Sequence, residues 1–82
     1  MSSLTLLTRA DCGLCEDMHA ALDSLAATLE LPPLEIVDVD ADPVTRRRFG
    51  LKIPVLLLDG ALVCYGRLDE GELRRMLRTS PR

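Results

Sequence analysis

The sequence predicts one α/β domain: a four-stranded mixed sheet flanked by three helices, in the order β-α-β-α-β-β-α. Three observations predict it. Short apolar runs alternate with segments of helical period, the pattern of strand–helix–strand units. The first such unit requires a parallel strand pair joined by a crossover helix. Asp59-Gly60, set between two apolar runs, marks a hairpin that adds an antiparallel strand.

Each element has its own local reason. Leu4-Thr5-Leu6-Leu7 is an apolar run ending in polar residues and reads as a buried strand. Leu14, Met18, Ala21, Leu22, Leu25, Ala26 and Leu29 then recur at helical spacing, with Asp11 as the expected N-cap and Pro32-Pro33 as the stop. Leu34 to Val39 reads as the second strand. Asp42 followed by Pro43 opens a short helix from Val44 to Phe49, and Gly50 is expected to cap its end. Val55 to Leu58 forms the third strand and Ala61 to Cys64 the fourth. Tyr65-Gly66-Arg67 is expected as a loop. Leu68, Leu73, Met76 and Leu77 mark a last helix of about ten residues capped by Asp69. Residues 1–82 read as a single domain, with Thr79 to Arg82 as a frayed tail.

Composition excludes several functions. With 48% hydrophobic residues the chain can build a core, but one Phe, one Tyr and no Trp make that core aliphatic. A base-stacking nucleic-acid surface would need aromatic platforms, and a net charge of −3 does not seek phosphate. No nucleic-acid partner is therefore expected. No apolar run approaches the length of a membrane span, and the first residues lack a charged n-region and a cleavage site, so no membrane partner is expected either. Three cysteines are too few for a secreted disulfide framework. A monomeric cytoplasmic protein whose cysteines act chemically is the expectation.

The chemistry centres on Cys12-Gly13-Leu14-Cys15, at the junction of the first strand and first helix. A sulfur at the start of a helix faces free backbone N–H groups and the positive dipole end, which favour the thiolate. Arg9 adds to that effect, whereas Asp11, Glu16 and Asp17 oppose it. Cys15, three residues on, can close a disulfide onto Cys12. The pair thus suits attack by Cys12 on a disulfide and release of the mixed disulfide by Cys15. Three other readings stay open here: a buried cysteine pair without redox work, a zinc site using Cys12, Cys15, His19 and Cys64, and an iron–sulfur centre bridging two protomers through Cys12. His19 reads as an ordinary helix histidine and Cys64 as a small core residue.

The first strand, the CxxC motif, the Ile53-Pro54 dipeptide before the third strand and the Gly66…Asp69 turn together resemble the thioredoxin fold, and in detail the small glutaredoxin-like family, over about residues 3–78. The resemblance implies a thioredoxin-like sheet and a thiol–disulfide oxidoreductase that reduces protein or glutathione mixed disulfides. It implies Cys12 as nucleophile and Cys15 as resolving cysteine. Ile53-Pro54 corresponds to a cis dipeptide that exposes backbone groups to a peptide-like substrate. Arg9 corresponds to a lysine facing the thiolate and a substrate carboxylate. Asp69, after Gly66, corresponds to an aspartate that receives a glutathione terminus, with Arg47 or Arg48 at the opposite carboxylate.

Gly13 and Leu14, between the cysteines, complete the implied substrate surface, although the usual Pro-Tyr there would supply a ring that this chain lacks. Tyr65-Gly66 likewise replaces Gly-Gly. These departures argue against glutathione more than against dithiol chemistry. The expected partners are a disulfide-bearing protein or glutathione and a reductase. No bound cofactor or metal is expected, with glutathione as a candidate co-substrate. A non-enzymatic adaptor of the same fold, its dithiol vestigial, is the alternative reading.

Overall fold

In a computed structural model that describes residues 2–79, the chain forms a thioredoxin-like four-stranded mixed sheet with helices on both faces. Strand β1 (Leu4–Thr8) pairs in parallel with β2 (Leu34–Asp38) and antiparallel with β3 (Val55–Leu58). β3 pairs antiparallel with β4 (Ala61–Tyr65), so the spatial order is β2-β1-β3-β4. Helices α1 (Gly13–Ala26), α2 (Pro43–Phe49) and α3 (Glu70–Thr79) complete the order read from the sequence.

The apolar alternation along β1 distributes the core to two faces. Leu4 and Leu6 join Leu56 and Leu58 of β3 under α1 and α3, where Met18, Leu22, Leu25 and Leu73 are buried with them. Leu7 and Val55 point the other way and pack with Val39, partly covered by Phe49, Ile53 and Leu57. This follows from the two-residue period of a strand: neighbours in an all-apolar run must go to opposite layers. α1 and α3 therefore form one layer, and α2 lies on the other face.

Several local expectations change. The N-cap of α1 is Cys12, not Asp11; Asp11 takes a positive φ of 59°, a conformation its short polar side chain tolerates, and turns the chain into the helix. α1 ends at Ala26, well before Pro32-Pro33, because the N–H groups of Ala27 and Thr28 tighten onto the carbonyls of Ser24 and Leu25. Pro33 instead accepts the Leu4 N–H at 2.8 Å and helps align the parallel pair. Val39 leaves β2 for a single 3-10 turn, Val39–Ala41, started by Asp38, whose carboxylate accepts the Asp40 N–H.

Asp42 caps α2 as expected and Pro43 follows it. Gly50, however, ends α2 in a right-handed conformation rather than the left-handed one usual for a C-terminal glycine. A Cβ there would stand 2.5 Å from the Arg46 carbonyl oxygen and 3.3 Å from the Arg9 guanidinium, so close approach, not φ, calls for glycine. Tyr65 belongs to β4 rather than to a loop, paired with Val55. Asp69 accepts the Glu72 N–H at 3.0 Å and starts α3. Thr79, expected in a frayed tail, closes α3; the rest of that tail, residues 80–82, lies outside the described residues.

The Asp59-Gly60 hairpin has φ of 51° and 85° at its two central residues, the mirror-image turn whose twist suits adjoining strands. Gly60→Ala is expected to cost about 1 kcal/mol, because a Cβ is disfavoured at that φ. At a urea slope of about 1 kcal/mol/M, the denaturation midpoint should fall by roughly 1 M.

Candidate active site

β1, an inner strand, delivers the chain to the end of the sheet, Asp11 turns it, and Cys12 precedes α1 with extended backbone angles (φ −108°, ψ 105°). In that position its Sγ accepts the Cys15 N–H at 3.1 Å, one of the free donors of the first turn. Cys12 and Cys15 are joined by a disulfide, with Cα atoms 5.2 Å apart. The two sulfurs differ in access: Cys12 is half-buried, whereas Cys15 is 4% exposed against the core. The pair thus has an outer sulfur that another molecule can reach and an inner sulfur shielded from it.

Two recesses flank the motif. One, of about 220 Å³, is lined by Cys12 and Cys15 together with Arg9, Asp11, Glu16 and His19 above the sheet residues Leu6 and Ile36. The other, of about 450 Å³, lies between α1 and the start of α3 and is lined by Leu14, Met18, Gly66, Arg67 and Leu68 among others. Leu14 is 56% exposed, which corrects its placement on the core-facing stripe of α1. It lines the second recess, and the buried stripe begins at Cys15 instead. Gly13 is exposed, and a side chain there would meet open space.

The remaining nominated residues fall into place unevenly. The Ile53–Pro54 peptide bond is cis, Pro54 is buried, and its carbonyl accepts the Gly66 N–H at 2.7 Å. Gly66 thereby connects Pro54 to the recess that holds Leu14. Arg9 lines the cysteine recess, and its guanidinium is also held by other protein groups. It donates to both carboxylate oxygens of Asp40 at 2.7 and 2.9 Å and to the Gly50 carbonyl at 3.2 Å. These hydrogen bonds raise the Arg9 pKa and hold the Asp40 carboxyl below the usual carboxylate value. Asp40 gave no sequence signal as Arg9's partner, since 31 residues separate them.

Asp69 is likewise occupied: its carboxylate caps α3, while its N–H donates to the Cys64 sulfur at 3.4 Å. Of the triple-arginine run, Arg48 lies over the Phe49 ring at 4.9 Å. Burial pushes the Cys64 thiol up; the Asp69 N–H acts in the opposite direction, and the Asp69 and Glu72 charges add to the rise. Its raised pKa and partial burial make Cys64 a weaker nucleophile than an ordinary exposed thiol. Among the described residues, no group of three or more His, Cys, Asp or Glu is arranged to hold a metal ion, and no helix is long and apolar enough to cross a membrane.

Comparison with known proteins matches this arrangement. The family described as "Glutaredoxin-like domain (DUF836)" covers residues 3–78. An uncharacterized protein of Mycobacterium tuberculosis is 41% identical over 73 residues, spanning 84% of this chain and 75% of the relative. Among solved structures, a structural-genomics target protein from X. campestris superposes with a TM-score of 0.63 at 28% identity, covering 95% of this chain and 99% of the other. A mutant thioredoxin from Halobacterium salinarum gives a TM-score of 0.62 at 24% identity, over 95% of this chain and 73% of that one. Fasciola hepatica thioredoxin gives 0.63 at 19% identity, over 98% and 81%. The last two likenesses speak to the fold.

Proposed function

The chain belongs to the glutaredoxin-like domain family, and from that premise we propose that it is a thiol–disulfide oxidoreductase acting on protein or glutathione mixed disulfides. The observation that carries the reading is the asymmetry of the joined cysteines: a reachable Cys12 at the helix start and a shielded Cys15 behind it. In the reduced protein the helix N–H groups that face Cys12 Sγ favour its thiolate. That thiolate attacks a substrate disulfide, the sulfur–sulfur bond breaks, and one substrate half leaves as a thiolate. The Cys15 thiolate then attacks Cys12 Sγ and expels the second half. Two electrons have passed to the substrate, and the protein holds the Cys12–Cys15 disulfide. An external thiol donor, glutathione or a reductase, restores the dithiol.

The second recess supplies the substrate contacts in this proposal. Leu14, Gly66 and the backbone around Ile53 and Pro54 receive the segment beside the attacked sulfur, with Gly13 leaving room above the helix start. Arg9 and Asp69 support the site from within the protein, the first by bracing Asp40 and Gly50, the second by starting α3. With both charges held within the protein, a polypeptide stretch suits the surface better than glutathione as the substrate. Glutathione is then the donor rather than the molecule recognised.

The test is turnover of a protein disulfide and of a small glutathione mixed disulfide, coupled in parallel to glutathione with its reductase and to thioredoxin reductase. Turnover in neither system would remove the enzymatic reading and leave the adaptor. A reduction potential between roughly −200 and −270 mV is expected for a working reductant of this kind. Alkylation gives a simpler check on which sulfur is reactive. Brief treatment of the reduced protein with iodoacetamide at neutral pH should modify Cys12 first, with Cys15 protected by burial and Cys64 by partial burial and its raised pKa. Peptide mass mapping that found Cys64 modified before Cys12 would contradict the assignment.

A further inference from the structure

We propose that His19 accepts the proton of Cys15 in the second exchange step, through water in the cavity that the two residues share. The inference rests on the exchange reading above and deepens it. Cys15 must lose its proton before it can attack, because the thiolate is the nucleophile. Yet Cys15 is 4% exposed, and among the described residues no polar or charged residue is buried. No internal carboxylate stands behind the sulfur to take the proton, so the acceptor belongs to the cavity wall.

That wall narrows the choice. The cavity of about 220 Å³ places Cys15 together with Arg9, Asp11, Glu16 and His19. At about 30 Å³ per molecule it has room for several waters, and its polar groups can hold them. Arg9 is a cation paired with Asp40 and offers no acceptor. Glu16 also lines the cavity, but a carboxylate is a weaker base than an imidazole. Asp11 lines it too and is a carboxylate of the same kind. His19 stands one turn after Cys15, on the same face, and helical side chains lean back toward the N-terminus. An imidazole is also the group best suited to take up and return a proton near neutral pH. One turn further on, Asp23 Oδ1 lies 3.9 Å from His19 Nε2. Cys15, His19 and Asp23 thus make a stripe along α1, with a carboxylate facing the imidazolium that proton transfer would create.

In the step, the Cys15 S–H bond breaks and its proton passes by way of cavity water to the imidazole. Cys15 Sγ bonds to Cys12 Sγ, and the bond from Cys12 to the substrate sulfur breaks. The departing thiolate takes up the proton from the imidazolium, so charge and protons balance.

An aryl disulfide whose released thiol is coloured separates the two steps. In a Cys64→Ala background, the reduced protein should release one coloured thiol as Cys12 is loaded and a second as Cys15 resolves it. His19→Ala is expected to leave the first release within about twofold and to slow the second about 100-fold, the lower range for a general base. Added imidazole should restore much of the second rate. The pH profile of that rate, in which Arg9, Asp11, Glu16 and Asp23 surround His19, should change shape in His19→Ala, whereas that of the first release should not. Asp23→Asn should give a smaller slowing of the same step.

A second release unchanged in His19→Ala, or both releases slowed alike without imidazole rescue, would overturn the role of His19 while leaving the exchange reading intact. A wild-type protein that releases no coloured thiol from Cys12 would overturn both.

Discussion

Cys12→Ser is expected to abolish disulfide exchange, and Cys15→Ser to convert the protein into a trap. Removing a nucleophile outright lowers turnover by roughly a thousandfold or more. Without Cys12 the remaining thiols are a shielded Cys15 and a neutral, partly buried Cys64. Neither offers a readily reached sulfur to an incoming disulfide, so little or no mixed disulfide should form on that variant. Cys15→Ser keeps the outer sulfur at the helix start but removes the inner one. Attack still occurs, and the adduct persists because nothing at 5.2 Å Cα separation is left to expel the bound half. Mass spectrometry of the intact protein after incubation with oxidised glutathione, or with a lysate under non-reducing conditions, reads the result. Adducts on Cys15→Ser but few or none on Cys12→Ser are predicted. Equal trapping by both variants would reverse or remove the assigned roles.

The second large effect concerns stability. Leu56→Ala should cost about 3 kcal/mol, within the usual range of roughly 2–5 for deleting a fully buried leucine. Leu56 is 0% exposed and sits on an inner strand of the sheet, paired with Leu6 on β1 and Cys64 on β4. Its neighbours belong to rigid, hydrogen-bonded strands and to α1 and α3, so they can collapse only partly into the space left. A domain of this size has a total stability of roughly 4–12 kcal/mol, so the change takes a large part of it. The melting temperature should drop by roughly 10–20 °C. Leu51→Ala is the control: Leu51 is 103% exposed and should change the midpoint negligibly. A thermal melt in which both leucines matter equally would mean that the two-layer core is wrongly drawn.

Much of this molecule was legible in local signals. The Asp42-Pro43 start of α2, the Asp59-Gly60 turn and the Asp69 cap were all readable because each depends on residues within three or four positions of one another. The location of the CxxC motif at a strand–helix junction was readable for the same reason. Errors gathered where local signals compete. Asp11 has the chemistry of an N-cap, but Cys12 one residue later takes that position, because the chain needs a left-handed residue to turn off β1. Leu14 fits the helical period, yet the period does not say where along the helix burial begins.

The order of elements, the aliphatic two-layer core and the position of the dithiol follow from the amino acids alone, since periodicity, turn chemistry and short spacings are properties of contiguous residues. Only the tertiary structure decided that Arg9 is tied to Asp40 and Gly50, that Asp69 is committed to its helix, and that His19 shares a cavity with Cys15. The first is a contact between segments far apart in the chain, and such contacts leave no periodic trace in a single sequence. The other two lie within reach of local spacing, but their meaning depends on what packs around them. Closing the chain into a folded domain determines which groups of suitable chemistry actually meet.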